Sequence, residues 1–219
     1  MEFIVKILLF ATSIIGLGFV IERAIVLRWR KIIPPAVEAA VESCRNAADV
    51  AMLKRVCEQH PSALSRLMLI AAEHLDWPKL DNVDAVQTRA RHELVRLERG
   101  LVVLEVIVGI APLLGLVGTI VGMMSAFSGL GQTGLNDVAK LANDIGIILN
   151  ATLWGLLIAI PALIAWSYFN RKVEELGVEM ERLCEEFVRR QYREPATMPT
   201  RPATGGLPPP LPPIPPANA

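Results

Sequence analysis

The sequence predicts an all-α integral membrane protein with three transmembrane helices, and three observations carry that prediction. Stretches within 1–30, 101–130 and 145–170 are apolar and long enough to cross a hydrocarbon core of about 30 Å, which takes roughly 20 helical residues. The apolar excess is aliphatic: hydrophobic residues make up 53% of the 219, aromatics only 5%, and mean hydropathy is +0.42. The second stretch carries Pro112, Gly115, Gly118 and Gly122 in its interior. Such residues weaken a helix in water. In lipid the backbone has no other hydrogen-bond partner, so the helix persists and they become packing or hinge positions.

The first element, 1–30, is a transmembrane helix interrupted only by Lys6 near one end and Glu22-Arg23 near the other. No basic segment precedes its apolar run and no small-x-small site follows, so it reads as a retained helix and not as a cleaved signal peptide. Residues 31–100 form a cytoplasmic helical loop, with breaks marked by Pro34-Pro35, His60-Pro61 and Trp77-Pro78. Within it Val83, Val86, Ala90, Leu94, Leu97, Leu101 and Leu104 recur every three or four residues. That spacing predicts one helix entering the second span, 101–130, without a break. A short periplasmic connection, 131–144, leads to the third span, 145–170, and then to a cytoplasmic helix, 171–194. There Val173, Leu176, Met180, Leu183 and Phe187 form one apolar stripe among charges. The tail, 195–219, runs through Pro208-Pro-Pro-Leu-Pro-Pro-Ile-Pro-Pro216 and favours polyproline II or disorder.

Basic residues set the direction. Arg28, Arg30 and Lys31 follow the first span, Arg89, Arg91, Arg96 and Arg99 precede the second, and Arg171 and Lys172 follow the third. The 131–144 connection holds a single Lys140. Lysine and arginine flanking spans stay inside. The expected orientation is therefore a periplasmic amino terminus and a cytoplasmic carboxyl terminus, in a multi-pass protein of the bacterial inner membrane.

Several function classes are disfavoured. The formal net charge is zero, which gives nucleic acid no footprint. Cys44, Cys57 and Cys184 are scattered and odd in number, suited to neither a disulfide framework nor a metal site. His60, His74 and His92 are equally dispersed. There is no glycine-rich phosphate loop and no nucleophile–base pair. Neither enzymatic activity, nor a metal, nor an organic cofactor is expected.

The informative polar groups lie inside the membrane. At about 1.5 Å per residue, Thr119 lies about 16 Å below the outer end of the second span and Thr152 about 15 Å below that of the third. Pro112 and Pro161 are matched likewise, at about 27 and 28 Å. Each proline leaves a carbonyl one turn earlier without its donor, on Val108 and Leu157. Polar groups at such depth usually serve function. Thr119 and Thr152, with Asn150 and Asp144 on the third helix, are the candidate ion-path residues. Pro112, Gly115, Gly118, Gly122 and Pro161 are candidate packing or hinge residues.

At these positions the chain resembles the MotA/TolQ/ExbB proton-channel family. Ala111-Pro-Leu-Leu-Gly-Leu-Val-Gly-Thr-Ile-Val-Gly122 is similar to its second-span signature, and Asn150-Ala-Thr-Leu-Trp-Gly-Leu-Leu-Ile-Ala-Ile-Pro161 to its third. Ile21-Glu-Arg-Ala-Ile-Val-Leu-Arg-Trp-Arg-Lys-Ile-Ile-Pro34 resembles the end of its first span. Three spans and an outside amino terminus place the resemblance nearest the ExbB/TolQ branch. It implies an ion-channel and motor subunit that couples proton-motive force to work on an envelope machine, in energised transport or envelope maintenance. It further implies a homopentameric ring around a dimer of an ExbD/TolR-like single-span partner, and a TonB- or TolA-like protein beyond it. The implied ion is a proton, with sodium as the alternative. The partner's aspartate would face Thr119 and Thr152, which occupy the family's threonine positions. One departure stands out: where ExbB and TolQ generally carry a glutamate, five residues before the third-span threonine, this chain has Ile147. Asp144 and Asn150 flank that position by one turn on roughly the same face. The competing reading is a structural scaffold without ion flow.

Overall fold

The computed structural model describes residues 2–45, 47–133 and 138–192, and every regular element among them is a helix. In order these are α1 (Glu2–Val26), α2 (Trp29–Ile32), α3 (Pro35–Ser43), α4 (Ala47–Gln59), α5 (Ala63–Glu73), α6 (Lys79–Glu98), α7 (Leu101–Thr133) and α8 (Val138–Gln191). The Pro-rich tail lies outside the described residues. Stretches of α1, α7 and α8 are long and apolar enough to cross a membrane. They pack together, while α3–α6 gather around the distal half of α8. Side chains such as Phe3, Phe10 and Leu17 stand exposed on α1, as a lipid-facing helix requires. The protein is an α-helical membrane protein.

Prolines set the breaks between the short helices. Pro34 and Pro78 stand at the N-caps of α3 and α6, where a missing N–H removes nothing from the helix ladder. Pro61 lies in the turn between α4 and α5, and Ser62 then caps α5 by accepting the Ser65 N–H at 3.1 Å.

Helix α8 runs 54 residues, about 80 Å, through Pro161 without a stop. Helices α7 and α8 also extend further toward each other than the 131–144 connection supposed, leaving 134–137 outside the described residues between them.

The apolar spacing from Val83 to Leu104 predicted one unbroken helix, whereas the structure has two, α6 and α7. They part at Arg99–Gly100, with Arg99 itself still helical at φ −47° and ψ −39°. The reason is Arg23, buried at the end of α1. Its guanidinium occupies the space a Gly100 side chain would need, and its Nη1 donates to the Leu97 carbonyl at 3.2 Å. Carbonyls in a helix's last turn lack intrahelical donors. An arginine from another helix supplies one here, and hydrophobic periodicity cannot register that.

The apolar stripe of α8 is the centre of the bundle. Val173, Leu176, Met180, Leu183 and Phe187 are all buried, in one core with Val37 of α3, Leu64 and Leu67 of α5 and Val86 of α6. Two polar clusters fix the register. Asn82, fully buried, donates to the Ala71 carbonyl and to the Tyr192 hydroxyl, both at 3.1 Å. Tyr192 donates in turn to the Trp77 carbonyl at 2.8 Å, which ties the end of α8 to the α5–α6 junction. The second cluster is Glu93 of α6, whose carboxylate accepts two bonds from Arg66, at 2.8 and 2.5 Å, and pairs with Arg89 at 3.2 Å.

Burial alone would push the Glu93 carboxyl up. The Arg66 hydrogen bonds and the charges of Arg66, Arg89 and Arg96 outweigh it and hold the group below the usual carboxylate range. A carboxyl lowered in the folded state contributes stability above its unfolded pKa, about 4.3, and loses that contribution as pH falls through the folded value. Glu93→Gln is therefore expected to cost about 2 kcal/mol at neutral pH, the range of a hydrogen bond to a charged group. The gap from wild type should close in acid below about pH 4. Thermal unfolding followed by tryptophan fluorescence across that pH range checks both statements.

Candidate ion-path site

The site is the seam between α7 and α8. Ala111, Gly115, Gly118 and Gly122 recur at steps of three and four and so share one face of α7. Against them lie Ile148, Ala151, Thr152 and Gly155 of α8. The approach is close enough that a Cβ on Gly115 would lie 3.0 Å from the Thr152 Cα and from the Ala151 carbonyl oxygen. One on Gly155 would lie 2.7 Å from the Ala111 carbonyl oxygen, and one on Gly118 would lie 2.8 Å from the Ala151 Cβ. Gly122 meets Ile148 at 2.7 Å in the same sense. The glycines thus serve contact within one chain.

Two hydroxyls sit on this seam. Thr152 Oγ1 crosses from α8 and donates to the Gly115 carbonyl at 3.3 Å. Thr119 Oγ1 donates within α7 to the Leu116 carbonyl at 2.7 Å. The two hydroxyls therefore rest on successive carbonyls of α7. Thr119 stands one turn, about 6 Å, along α7 from the glycine that receives Thr152. Both threonines are half-buried. Pro112 lies in α7 one turn before the carbonyl pair, and Pro161 lies inside α8 beyond Gly155.

Hydroxyls backed by carbonyls can orient a proton or a hydrated cation, because a hydroxyl donates and accepts at once. They cannot store a charge. The described part of the seam holds no carboxylate, and no cluster of metal-ligating side chains occurs among the described residues.

Asn150 does not join the threonines. Two residues from Thr152 turn the helix by about 200°, so Asn150 faces a groove toward α1. Ile147, at the family's usual glutamate position, is half-exposed and lines that same groove, as does Pro161. Asp144 belongs to the first turns of α8, and its side chain lies outside the described residues. Gly155 was missed as a site residue. Its spacing of three from Thr152 and four from Ala151 was the signal that places it on the seam. Arg23 and Lys6 carried no signal beyond being charges near an apolar run.

The family model described as the MotA/TolQ/ExbB proton channel family matches residues 42–182, which take in α4 to α7, the whole seam and α8 as far as Arg182. The chain belongs to this family. Among curated proteins it is 35% identical over 91 residues to the biopolymer transport protein ExbB of Neisseria gonorrhoeae, covering 42% of this chain and 41% of that protein. It is 34% identical over 103 residues to the ExbB of Helicobacter pylori, covering 47% and 66%. A putative ExbB-like protein of Helicobacter pylori is 38% identical over 92 residues, covering 42% and 49%. The chain spans about two fifths of the length of the Neisseria protein it matches. These names support the ExbB/TolQ branch.

Proposed function

We propose that this MotA/TolQ/ExbB-family chain is the ion-channel and motor subunit of a bacterial inner-membrane complex that couples proton-motive force to work on an envelope machine. The observation that carries the reading is the pair of threonine hydroxyls on successive carbonyls of a glycine-packed seam. The described part of that seam offers a proton a hydrogen-bonded surface but no group to hold its charge. A carboxylate from a partner completes it. An ExbD/TolR-like single-span protein with an aspartate in its span, seated as a dimer in a ring of five copies of this chain, is the partner that fits. Protonation and ionisation of that aspartate change its preference between a hydroxyl-lined and an apolar surface, and ion flow thereby becomes motion. The distribution of arginine and lysine supports a periplasmic amino terminus and a cytoplasmic bundle. A TonB- or TolA-like protein would receive the work.

The scaffold reading has one observation in its favour: the Thr152–Gly115 hydrogen bond is also a packing device. Flux separates the two. The chain is co-purified with its single-span partner, sealed in vesicles containing a pH-sensitive dye, and challenged with a membrane potential. The expected result is proton uptake well above that of empty vesicles, lost when the partner's aspartate is replaced by asparagine. Uptake equal to empty vesicles with the intact partner present would leave the scaffold.

A further inference from the structure

Trp77 and Leu80 stand three residues apart across the Pro78 cap of α6, and they are 48% and 78% exposed. Exposed apolar side chains on α1 suit lipid, but lipid does not reach these two. The Tyr192 hydroxyl donates to the Trp77 carbonyl, which puts the patch at the far end of α8. Tyr192 lies 22 residues, about 33 Å, beyond the end of the third span at 170. The His74 ring packs on the Trp77 indole with 4.0 Å between centroids and holds it in place. Flanking the pair in the chain are Glu73, Asp76, Asp81 and Asp84, all exposed. None of these four carboxylates is in an ion pair among the described residues. Lys79 is the one lysine or arginine between them. The patch is therefore an exposed aromatic and aliphatic surface with an acidic rim.

The same hydrogen bond fixes where the remaining chain sets out, since Tyr192 is the last described residue and 27 more follow it. Their sequence matches the patch in kind. Leu211-Pro-Pro-Ile-Pro-Pro216 repeats every three residues, and polyproline II has three residues per turn. In that conformation Leu211 and Ile214 share one edge and the prolines form the other two. Aromatic-lined surfaces take such segments because the conformation is preformed and little entropy is lost on docking. Charge agrees as well: the stretch after Tyr192 carries Arg193 and Arg201 against one acid, Glu194, opposite in sign to the rim. Reach is ample. Fifteen residues, 193–207, separate Tyr192 from Pro208, and chain of that length extends to about 50 Å. A short tether also presents its segment at millimolar effective concentration, so modest intrinsic affinity suffices. We propose that the Leu211–Pro216 segment docks on the Trp77–Leu80 patch of its own chain.

The test uses the full chain in native membranes, with the photo-reactive residue p-benzoylphenylalanine in place of either Lys79 or Val178. Val178 is also exposed and lies 14 residues, about 21 Å, back along α8 from Tyr192, within the same reach. After illumination and trypsin, the carboxyl-terminal peptide 194–219, which holds no cleavable site because Arg201 precedes a proline, is sought by mass spectrometry. Its cross-linked yield is expected to be at least tenfold higher from position 79 than from position 178. The product should migrate at the mass of one chain on a denaturing gel. Leu80→Glu, a change outside the core, should cut the position-79 yield at least tenfold. Leu211→Asn combined with Ile214→Asn should do the same, with every proline kept and the bundle untouched. Equal yields from the two positions, or no cross-linked peptide from position 79, would overturn the proposal. A yield indifferent to the Leu211 and Ile214 substitutions would as well. So would a product of twice the chain mass, which would place a neighbouring copy on the patch, or one joined to any other protein.

Discussion

Gly155→Ala, the addition of one methyl group, is expected to open the α7–α8 seam and to lose most of the assembled complex. The new carbon would stand 2.7 Å from the Ala111 carbonyl oxygen and 3.1 Å from the Gly115 Cα. Both are backbone atoms in the interior of a helix, so no side chain can swing aside and the two helices must separate. Overpacking of a fitted interior costs about 1–3 kcal/mol where side chains can adjust, and a collision with backbone belongs at the upper end. Gly115→Ala should behave alike, since its Cβ meets the Thr152 Cα and the Ala151 carbonyl oxygen at 3.0 Å. The internal controls are Gly109→Ala on α7 and Gly146→Ala on α8, where nothing lies within 4 Å of the added carbon. Those two should assemble as wild type does. Recovery of the complex by size exclusion after a graded heat step measures all four. A Gly155→Ala complex that survives to the wild-type temperature would show that the seam is looser than these distances state.

The seam was partly legible in the sequence because membrane helices make small residues conspicuous. Three glycines at steps of three and four in an aliphatic run have few uses other than close approach. Their partner was harder to read. Gly155 stands between Trp154 and Leu156, and only the pairing of two helices gives it a role. Matching depths by helix rise put the two threonines level, whereas Thr152 stands beside Gly115, one turn or about 6 Å along α7 from Thr119. Depth alone, however, says nothing of azimuth, and for that reason Asn150 was grouped with Thr152 although about 200° of helix separates them. The stripe of α8 was plain because five buried residues from Val173 to Phe187 repeat regularly. The break at Gly100 was hidden because its cause, Arg23, lies 77 positions away in the chain. Periodicity reports local structure, and contacts of that kind are not local.

Thr152→Val and Thr119→Val should separate packing from ion handling, because the two bonds differ in what they hold together. Valine keeps the branched shape of threonine and removes the hydroxyl. At Thr152 the lost bond joins two helices, and such bonds within membranes average about 0.6 kcal/mol. At Thr119 the lost bond stays within α7, so the seam loses no contact between helices. Both variants should therefore insert, assemble and melt within about 1 kcal/mol of wild type. If the hydroxyls only packed helices, activity would follow stability and change less than about fivefold, given that 1.4 kcal/mol corresponds to a factor of ten. If they carry the ion, partner-dependent proton uptake per assembled complex should fall at least tenfold in each variant and to the empty-vesicle level in the double variant. Thr152→Ser, which restores the hydroxyl, should recover most of the flux. The Thr119 variant decides more cleanly, since packing gives it no reason to fail. A double variant that is fully assembled and conducts like wild type would take the threonines out of the path and leave the seam as a joint between helices.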